Sequence, residues 1–212
     1  MIVYGASLSP FVRKVLAFAA EKGVTVENRP FSLTSPPAEF LEASPFRKIP
    51  ALQDGDFSVC DSSAIVHYIE AKHPAPALIP ADPRDRARTI WFEEYADTIM
   101  VAVMGKMFFN RIVAPRFLGR PGDLAAADAA ERDELPPVLD YLERHAPEPG
   151  DFLVGGAITL ADIAVASPFA NLRHMNVSLD RFPRSRAWAD AILARPSFAP
   201  WVEGEAKFLA AA

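Results

Sequence analysis

The chain has 212 residues, of which 50% are hydrophobic and 23% are charged, so it is long and apolar enough to bury a core in one or two compact domains. Its formal net charge is −5 and its Lys and Arg residues are spread along the chain, which excludes the basic surface that a nucleic-acid partner requires. No apolar run approaches the roughly 18 residues that span a bilayer, and residues 1–4 lack the basic start of a signal peptide, so we expect a cytoplasmic protein without a membrane partner.

Cysteine and histidine are too sparse to build a disulfide or a metal site. Cys60 is the single cysteine, so neither an intrachain disulfide nor dithiol redox chemistry is expected, and we interpret it as a small buried residue beside a turn. The four histidines are scattered, without a spacing that gathers ligands on one helix face. We therefore expect no bound metal.

The first third of the chain alternates strand-like and helix-like segments. Apolar residues recur at helical spacing over residues 10–22, after a β-prone run at 2–4, until Gly23 closes the helix. An Asp-Gly turn separates two further strand-like runs, which predicts a hairpin. The predicted segments, in the order βαβαββα, are 2–4, 10–22, 25–28, 37–42, 49–53, 57–59 and 61–72.

The rest of the chain is helical in pattern and follows a proline-rich stretch. His73 and the prolines after it end the last helix of the first unit. We therefore predict a first domain at 1–75, a linker at 76–82 and an all-helical domain at 83–212. The predicted helices of that domain are 83–111, 124–145, 160–171, 184–194 and 197–209, with irregular chain over 114–123.

Two local signals modify this helical pattern. Pro136 and Pro137 fall inside the segment 124–145, so its helix must kink or restart there. Thr159 and Asp162 have the spacing of a capping box, in which each side chain bonds the backbone of the other's position. The sequence thus predicts a well-defined helix start at Thr159.

Three junctions in the first domain carry the candidate chemistry. Pro10 suits the first position of a helix and Ser9 its N-cap, where a hydroxyl lies beside free amides and the positive end of the helix dipole. The Ile49–Pro50 peptide is either a trans edge-strand proline or a cis proline that exposes backbone groups to a ligand. Asp61 and Ser62 open a helix, so they either cap it or hold the two ends of an amino-acid-like ligand.

Four motifs, in order and spacing, resemble the cytosolic glutathione transferase family over essentially the whole chain. They are Ser9-Pro10-Phe11 with Ala20-Glu21-Lys22-Gly23, Arg47-Lys48-Ile49-Pro50-Ala51-Leu52, Asp61-Ser62-Ser63-Ala64-Ile65 and Thr159-Leu160-Ala161-Asp162. The first resembles the serine-type active-site unit of plant tau-class members. The resemblance implies an α/β thioredoxin-like N-terminal domain with a mixed four-stranded sheet, an all-α C-terminal domain and a homodimer.

The same resemblance implies a role for each matched residue. Ser9 becomes the catalytic residue that activates the glutathione thiol, with Ser7, two residues earlier, as the second choice. The implied glutathione-binding residues are Ser9, Lys48, Ile49, Asp61 and Ser62, with Pro50 as the cis proline. Asp61 stands where glutamate is commoner in the family, which preserves the charge and shortens the reach.

An electrophile pocket is expected between the two domains. We nominate Phe11 and one face of the long helix, where Val101, Met104 and Phe108 recur at helical spacing. The alternative is that this stripe of apolar residues is ordinary core. Arg111 is a candidate contact for an acidic substrate, and a solvated surface arginine is its alternative interpretation.

The resemblance implies an enzyme that holds glutathione, its co-substrate, as a thiolate and conjugates it to small hydrophobic electrophiles. Peroxide reduction, dehalogenation and isomerisation are variants of the same chemistry. Isomerisation is the weaker variant, because the chain reads Ser7-Leu8-Ser9 and lacks the zeta-class Ser-Ser-Cys pattern. The alternative hypothesis is a transferase-like module that docks a partner or carries a ligand with little catalysis.

Overall fold

The computed structural model describes residues 1–211, and its N-terminal part is built on a four-stranded sheet. The strands are β1 (Ile2–Tyr4), β2 (Glu27–Arg29), β3 (Ala51–Asp54) and β4 (Phe57–Cys60). They are arranged in the order β2-β1-β3-β4, with β1 parallel to β2 and antiparallel to β3, and β3 antiparallel to β4. The second strand begins two residues later than predicted, because the three-residue β1 sets its register and pairs Ile2 with Glu27.

The two faces of the sheet bury alternate residues, as the two-residue period of a strand requires. Three helices accompany the strands: α1 (Pro10–Glu21), α2 (Ala38–Ala43) and α3 (Ser62–Lys72). Val3 and Leu52 are wholly buried on the face that packs against α1 and α3. Tyr4 and Ala51, the next residues along, pack with Phe40 of α2 on the opposite face.

One edge of the sheet collects the three candidate junctions. Tyr4 pairs with Ala51, and Ala51 pairs with Cys60, so these residues form one row across three strands. Because β1 and β4 end at this row and β3 begins there, the segments that follow Tyr4, precede Ala51 and follow Cys60 all lie at the same edge. Those segments contain Ser9, the Ile49–Pro50 peptide and Asp61 respectively.

The remainder of the described chain is helical, and with the mixed sheet it confirms the predicted fold class. Its helices are α4 (Pro83–Glu94), α5 (Val101–Phe108), α6 (Ala114–Phe117), α7 (Leu124–Ala129), α8 (Leu135–His145), α9 (Leu160–His174), α10 (Pro183–Leu193) and α11 (Ala199–Ala211). The π-helical turns Tyr95–Met100 and Phe109–Val113 join α4, α5 and α6 into one run. The first helix therefore continues past Arg111, where the sequence predicted its end, and irregular chain starts only after Phe117.

Two local predictions in this part are confirmed. A π-helical turn over Ala130–Glu134 precedes α8, whose first turn holds the proline pair at 136 and 137, so the helix restarts there, where the missing proline N–H groups need no partner. Thr159 and Asp162 form the capping box at the start of α9. The Asp162 carboxylate accepts bonds from the Thr159 amide at 2.8 Å and the Leu153 amide at 2.7 Å.

The helical run Pro83–Phe117 is long and apolar enough to cross a membrane by length and composition, with a mean hydropathy of 1.2 in its most apolar window. No apolar run of this length was predicted from the sequence, so that expectation is wrong for this helical run. In the structure, Met100 and Met107 are wholly buried in the main core. In that window 33% of the residues are buried, so packing inside the fold accounts for part of the apolar character of the run.

The helix α9 lies at the centre of the core. Every residue from Leu160 to Leu172 is buried, and α9 contacts α1, α4, α5, α10 and α11. Its neighbour α1 is buried almost all round, since each residue from Val12 to Ala19 is buried. The buried stretch of α1 includes two charged residues, Arg13 and Lys14, which must therefore be paired inside the protein.

Candidate active site

A cavity of about 500 Å³ lies between the edge of the sheet and the run formed by α4, α5 and α6. Ser9 and Ile49 contribute to its wall from the first part of the chain. The nominated pocket residues Phe11, Val101, Met104 and Phe108 all line the same cavity. The structure therefore brings the candidate activating hydroxyl and the nominated apolar residues together.

The cavity wall is strongly aromatic. The six phenylalanines that line it are Phe11, Phe31, Phe108, Phe109, Phe117 and Phe208. Within residues 1–211, no ionisable side chain lines the cavity, and its polar side chains are Ser9, Ser32 and Asn171. Such a wall accommodates a neutral aromatic molecule and offers no counter-charge to an acidic one.

Arg111 lies outside this cavity. Its guanidinium pairs with the Asp128 carboxylate at 2.7 Å and also with Glu131, and all three residues line a separate polar groove. Each terminal nitrogen of its guanidinium donates to one of the two carboxylates. The expectation that Arg111 contacts an acidic substrate in the electrophile pocket is therefore wrong.

Ser9 is the N-cap of α1, with extended backbone angles and Pro10 at the first helical position. Its hydroxyl oxygen accepts from the Val12 amide at 3.5 Å, which is the long limit of a hydrogen bond. The hydroxyl hydrogen remains available, since no protein acceptor within residues 1–211 takes it. The oxygen can thus cap the helix while the hydrogen points to a sulfur in the cavity, so the two interpretations of Ser9 are compatible.

Gly5 allows the Ser9 segment to lie close to the neighbouring elements. Its φ of +126° lies in a region that side chains rarely adopt. A Cβ there would meet Val12 Cγ2 at 2.8 Å and Ile49 Cβ at 3.0 Å. The absence of a side chain at Gly5 therefore lets α1 and the Ile49 segment approach each other at the cavity wall.

The Ile49–Pro50 peptide bond is cis, and Ile49 lines the cavity. The preceding residue, Lys48, is exposed and does not line the cavity. Its backbone is held by Ser44, whose hydroxyl accepts from the Lys48 amide at 2.9 Å and donates to the Lys48 carbonyl at 2.7 Å. The Lys48 side chain is thus free to reach a ligand that extends out of the cavity.

Asp61 caps α3 and adjoins the cavity at the same edge of the sheet without lining it. One carboxylate oxygen, Oδ1, accepts from the amides of Ser63 at 2.9 Å and Ala64 at 3.0 Å, which leaves Oδ2 free. Asp61 is exposed, whereas Ser62 beside it is buried. The N-terminus of α3 therefore presents both a free carboxylate oxygen and the positive end of a helix, which suits a ligand with an ammonium and a carboxylate group.

A buried charged cluster behind Ser9 was not predicted from the sequence. Arg13 donates through two nitrogens to the Glu205 carboxylate at 2.7 and 3.1 Å, and to the Asn171 carboxamide oxygen at 3.1 Å. His174 Nε2 lies 2.8 Å from the same carboxylate. The Ser7 hydroxyl also faces the Glu205 carboxylate. We call these five residues the Arg13 cluster.

The Arg13 cluster also determines the ionisation of Glu205. Burial by itself raises the pKa of this carboxyl, but the His174 hydrogen bond, the Arg13 charge and hydrogen bonds, and the nearby Ser7 hydroxyl outweigh burial and hold the pKa below its ordinary value. Ser7 faces this carboxylate and does not line the cavity, whereas Ser9 does.

The C-terminal helix α11 contributes to the cavity, which the sequence did not indicate. Phe208 of α11 lines the cavity and its ring stacks on Phe117 at a centroid distance of 5.9 Å. The Arg116 guanidinium donates to the Leu209 carbonyl. For the Arg13 cluster the available sequence signal was the charge of Arg13 within an otherwise apolar stretch of α1, which requires a buried partner elsewhere in the chain.

Two family models match the chain. "Glutathione S-transferase, N-terminal domain" matches residues 3–77, and "Glutathione S-transferase, C-terminal domain" matches residues 120–205. Together the two matches cover more than half of the chain.

Relatives and solved structures agree with these matches. Glutathione S-transferase 3 of Zea mays is 32% identical over 204 residues, which cover 92% of this chain and 90% of the maize protein. A glutathione S-transferase of Hyoscyamus muticus is 30% identical over 211 residues, covering 96% of this chain and 98% of the relative. The crystal structure of a glutathione S-transferase from Methylobacterium radiotolerans, in complex with glutathione sulfonate, matches with a TM-score of 0.77 at 29% identity and covers 95% of this chain and 93% of that chain. The chain therefore belongs to the glutathione S-transferase family.

Proposed function

We propose that this glutathione S-transferase holds the sulfur of glutathione as a thiolate beside Ser9 and joins it to a neutral aromatic electrophile in the phenylalanine-lined cavity. The observation that carries the proposal is the placement of the Ser9 hydroxyl, at the N-terminus of α1, on the wall of a cavity without ionisable side chains. The hydroxyl and the apolar pocket are the two parts that conjugation requires.

Activation of the thiol follows from ordinary electrostatics. A free thiol with a pKa of about 8.5 is only a few per cent ionised at neutral pH, and the thiolate is the nucleophile. A hydrogen bond from Ser9 and the positive end of α1 both favour the charged form. Lowering the thiol pKa by about two units corresponds to about 2.7 kcal/mol and makes most of the bound glutathione a thiolate.

The remaining predicted residues hold the tripeptide along the edge of the sheet. Asp61 and Ser62 bind its γ-glutamyl end at the N-terminus of α3, the backbone of Ile49 binds the cysteinyl part, and Lys48 reaches the glycyl carboxylate. The row of strand ends that brings these segments to one edge supports this assignment. The division at 1–75, 76–82 and 83–212 then assigns glutathione to the first domain, while the two domains contribute equal numbers of residues to the cavity wall.

The structure favours conjugation of neutral electrophiles over isomerisation of acidic ones. An acidic substrate needs a cation beside its carboxylates, and the cavity wall within residues 1–211 supplies none, since Arg111 is paired elsewhere. The transferase-like binding module remains the competing hypothesis, and glutathione binding and turnover separate it from the enzyme.

The wild-type protein is expected to be retained on immobilised glutathione, and Asp61→Asn is expected to bind glutathione about tenfold more weakly. Asparagine keeps the helix cap and removes the charge, and a hydrogen bond to a charged group contributes about 1.5–3 kcal/mol. Isothermal titration calorimetry measures the affinity. The matched control is Asp56→Asn, which neutralises an exposed carboxylate in the turn between β3 and β4.

Two results would contradict these assignments. Equal glutathione affinities in Asp61→Asn and Asp56→Asn would remove Asp61 from the glutathione site. Flow-through of the wild-type protein at physiological salt, with no heat-stabilisation by millimolar glutathione, would favour the binding module instead.

We further propose that the protein is a homodimer. Soluble oligomers are most often two-fold dimers, and two aromatic side chains are exposed on the first part of the chain. Phe46, between α2 and β3, is 83% exposed, and Phe57 is exposed on β4, which is an edge strand. Light scattering at micromolar concentration is expected to give twice the mass of the chain, and the mass of a single chain would contradict the proposal.

A further inference from the structure

The backbone segment that carries Ser9 accepts a hydrogen bond from a side chain that is distant in the sequence. The segment between β1 and α1 has few backbone bonds of its own: the Gly5 amide donates to the Arg29 carbonyl at 3.1 Å and the Ser9 amide donates to the Ala6 carbonyl at 3.0 Å. The Leu8 carbonyl, which belongs to the peptide that joins Leu8 to Ser9, accepts from Asn171 Nδ2 at 2.9 Å.

Asn171 uses both ends of its carboxamide. It lies on α9 and is 2% exposed, and its oxygen accepts from Arg13 while its nitrogen donates to Leu8. An arginine side chain has only donors, so it requires the oxygen of the carboxamide and leaves the nitrogen for the Leu8 carbonyl. The orientation of Asn171 is therefore determined by its partners.

The rest of the Arg13 cluster holds Asn171 in place. Arg13 is wholly buried and also donates to the Ser167 carbonyl at 2.6 Å, one turn before Asn171 on α9. Glu205 of α11 neutralises the arginine and is itself bound by His174. Because Arg13 lies one helical turn after Ser9, the cluster links both sides of the Ser9 peptide to α9 and α11.

We propose that Asn171 is the positioning residue for Ser9: by binding the Leu8 carbonyl and Arg13 together, it fixes the Leu8–Ser9 peptide and so directs the Ser9 hydroxyl at the glutathione sulfur. The inference rests on the proposed role of Ser9. Asn171 and Ser9 line the same cavity. A rotation of the Leu8–Ser9 peptide plane would change the direction of the Ser9 hydroxyl at the place where the sulfur is proposed to bind. Hydrogen bonds to the developing thiolate depend on such pre-set geometry.

The test compares glutathione complexes of the wild type, Asn171→Leu and Asn171→Asp. Leucine has a similar volume and neither bonding group, whereas aspartate keeps the acceptor for Arg13 and lacks the donor for Leu8. We expect both variants to lower kcat with an aryl halide about tenfold at neutral pH and to change KM for glutathione less than about twofold. Ultraviolet absorbance of the thiolate is expected to fall at neutral pH and to recover as the pH is raised.

A double-mutant cycle with Ser9→Ala separates positioning from a general loss of structure or from the charge that aspartate adds. If Asn171 acts through Ser9, its substitution causes no further loss in the Ser9→Ala background, whereas an independent effect would persist there. Ser185→Ala is the control, since it removes another buried hydrogen bond, 2.7 Å to Glu143, on α10. We expect its thiolate absorbance to equal that of the wild type.

The outcomes for the two proposals are distinct. If the glutathione complex of Ser9→Ala has the same thiolate absorbance as the wild-type complex, the proposed role of Ser9 is wrong, and so is the inference that rests on it. A normal effect of Ser9→Ala, together with unchanged thiolate absorbance in whichever Asn171 variant folds, would overturn the positioning role alone. The positioning role would also be overturned if the Asn171 substitutions lowered turnover by the same factor in the wild-type and the Ser9→Ala backgrounds.

Discussion

Ser9→Ala is expected to bind glutathione through Asp61, Ser62 and Ile49, yet to lose the thiolate absorbance of the complex at neutral pH. Turnover with a generic aryl halide should fall at least about tenfold, because one unit of thiol pKa corresponds to about 1.4 kcal/mol. Turnover should recover as the pH is raised, because the thiol then ionises without the help of the Ser9 hydrogen bond. A pH profile of kcat/KM beside a binding isotherm measures both effects.

The stability of Ser9→Ala reports the capping role separately. Loss of an N-cap costs about 0.5–2 kcal/mol, and the 3.5 Å distance from the Ser9 oxygen to the Val12 amide indicates the lower end of that range. Ser7→Ala is the control, because its hydroxyl faces Glu205 and not the cavity. Unchanged thiolate absorbance in Ser9→Ala with its loss in Ser7→Ala would assign the catalytic role to Ser7, and no change in either would leave both residues structural.

Glu205→Gln is expected to produce the largest loss of stability, about 3–5 kcal/mol in the free energy of unfolding. The substitution keeps the shape of the side chain and removes the charge that neutralises Arg13, and both side chains of this pair are at most 2% exposed. An uncompensated buried charge costs about this much. Urea denaturation at one fixed protein concentration measures the loss.

The matched control makes the same substitution in an exposed pair. Glu134 lies 2.6 Å from Lys106, and both side chains are more than 40% exposed. Because exposed ion pairs contribute about 0–1 kcal/mol, Glu134→Gln should change stability little. Similar losses in the two variants would show that the Arg13–Glu205 pair contributes no more than a surface pair.

The loss in Glu205→Gln should depend on pH with a defined sign. The folded-state pKa of Glu205 lies below its ordinary value of 4.5, so its contribution is fully present above pH 4.5 and is lost as the pH falls through the folded-state value. The difference in unfolding free energy between wild type and Glu205→Gln should therefore shrink below about pH 4.5, as the wild-type carboxyl takes up its proton. A difference that grows on acidification would contradict this assignment.

Local sequence determined the starts of the helices that matter for the site. Ser9-Pro10 begins α1, Asp61 caps α3, and Thr159 with Asp162 begins α9, in each case because the capping groups and the amides they satisfy lie within a few residues of one another. The alternation of strand and helix in the first third likewise predicted the sheet. The length of the run from Pro83 was not predicted, because two π-helical turns change its periodicity.

Side-chain partners across the fold were decided by the tertiary structure alone. Periodicity shows that a face is buried but not which element covers it, so Arg13 gave no indication of Glu205, 192 residues away. For the same reason Phe31 and Phe208 were not assigned to the cavity that they line. The sequence ranked Ser9 above Ser7, because Ser9 precedes Pro10 and matches the family motif. It did not show what each hydroxyl faces: the packing of α1 against α9 and α11 leaves Ser7 facing a buried carboxylate and Ser9 lining the cavity.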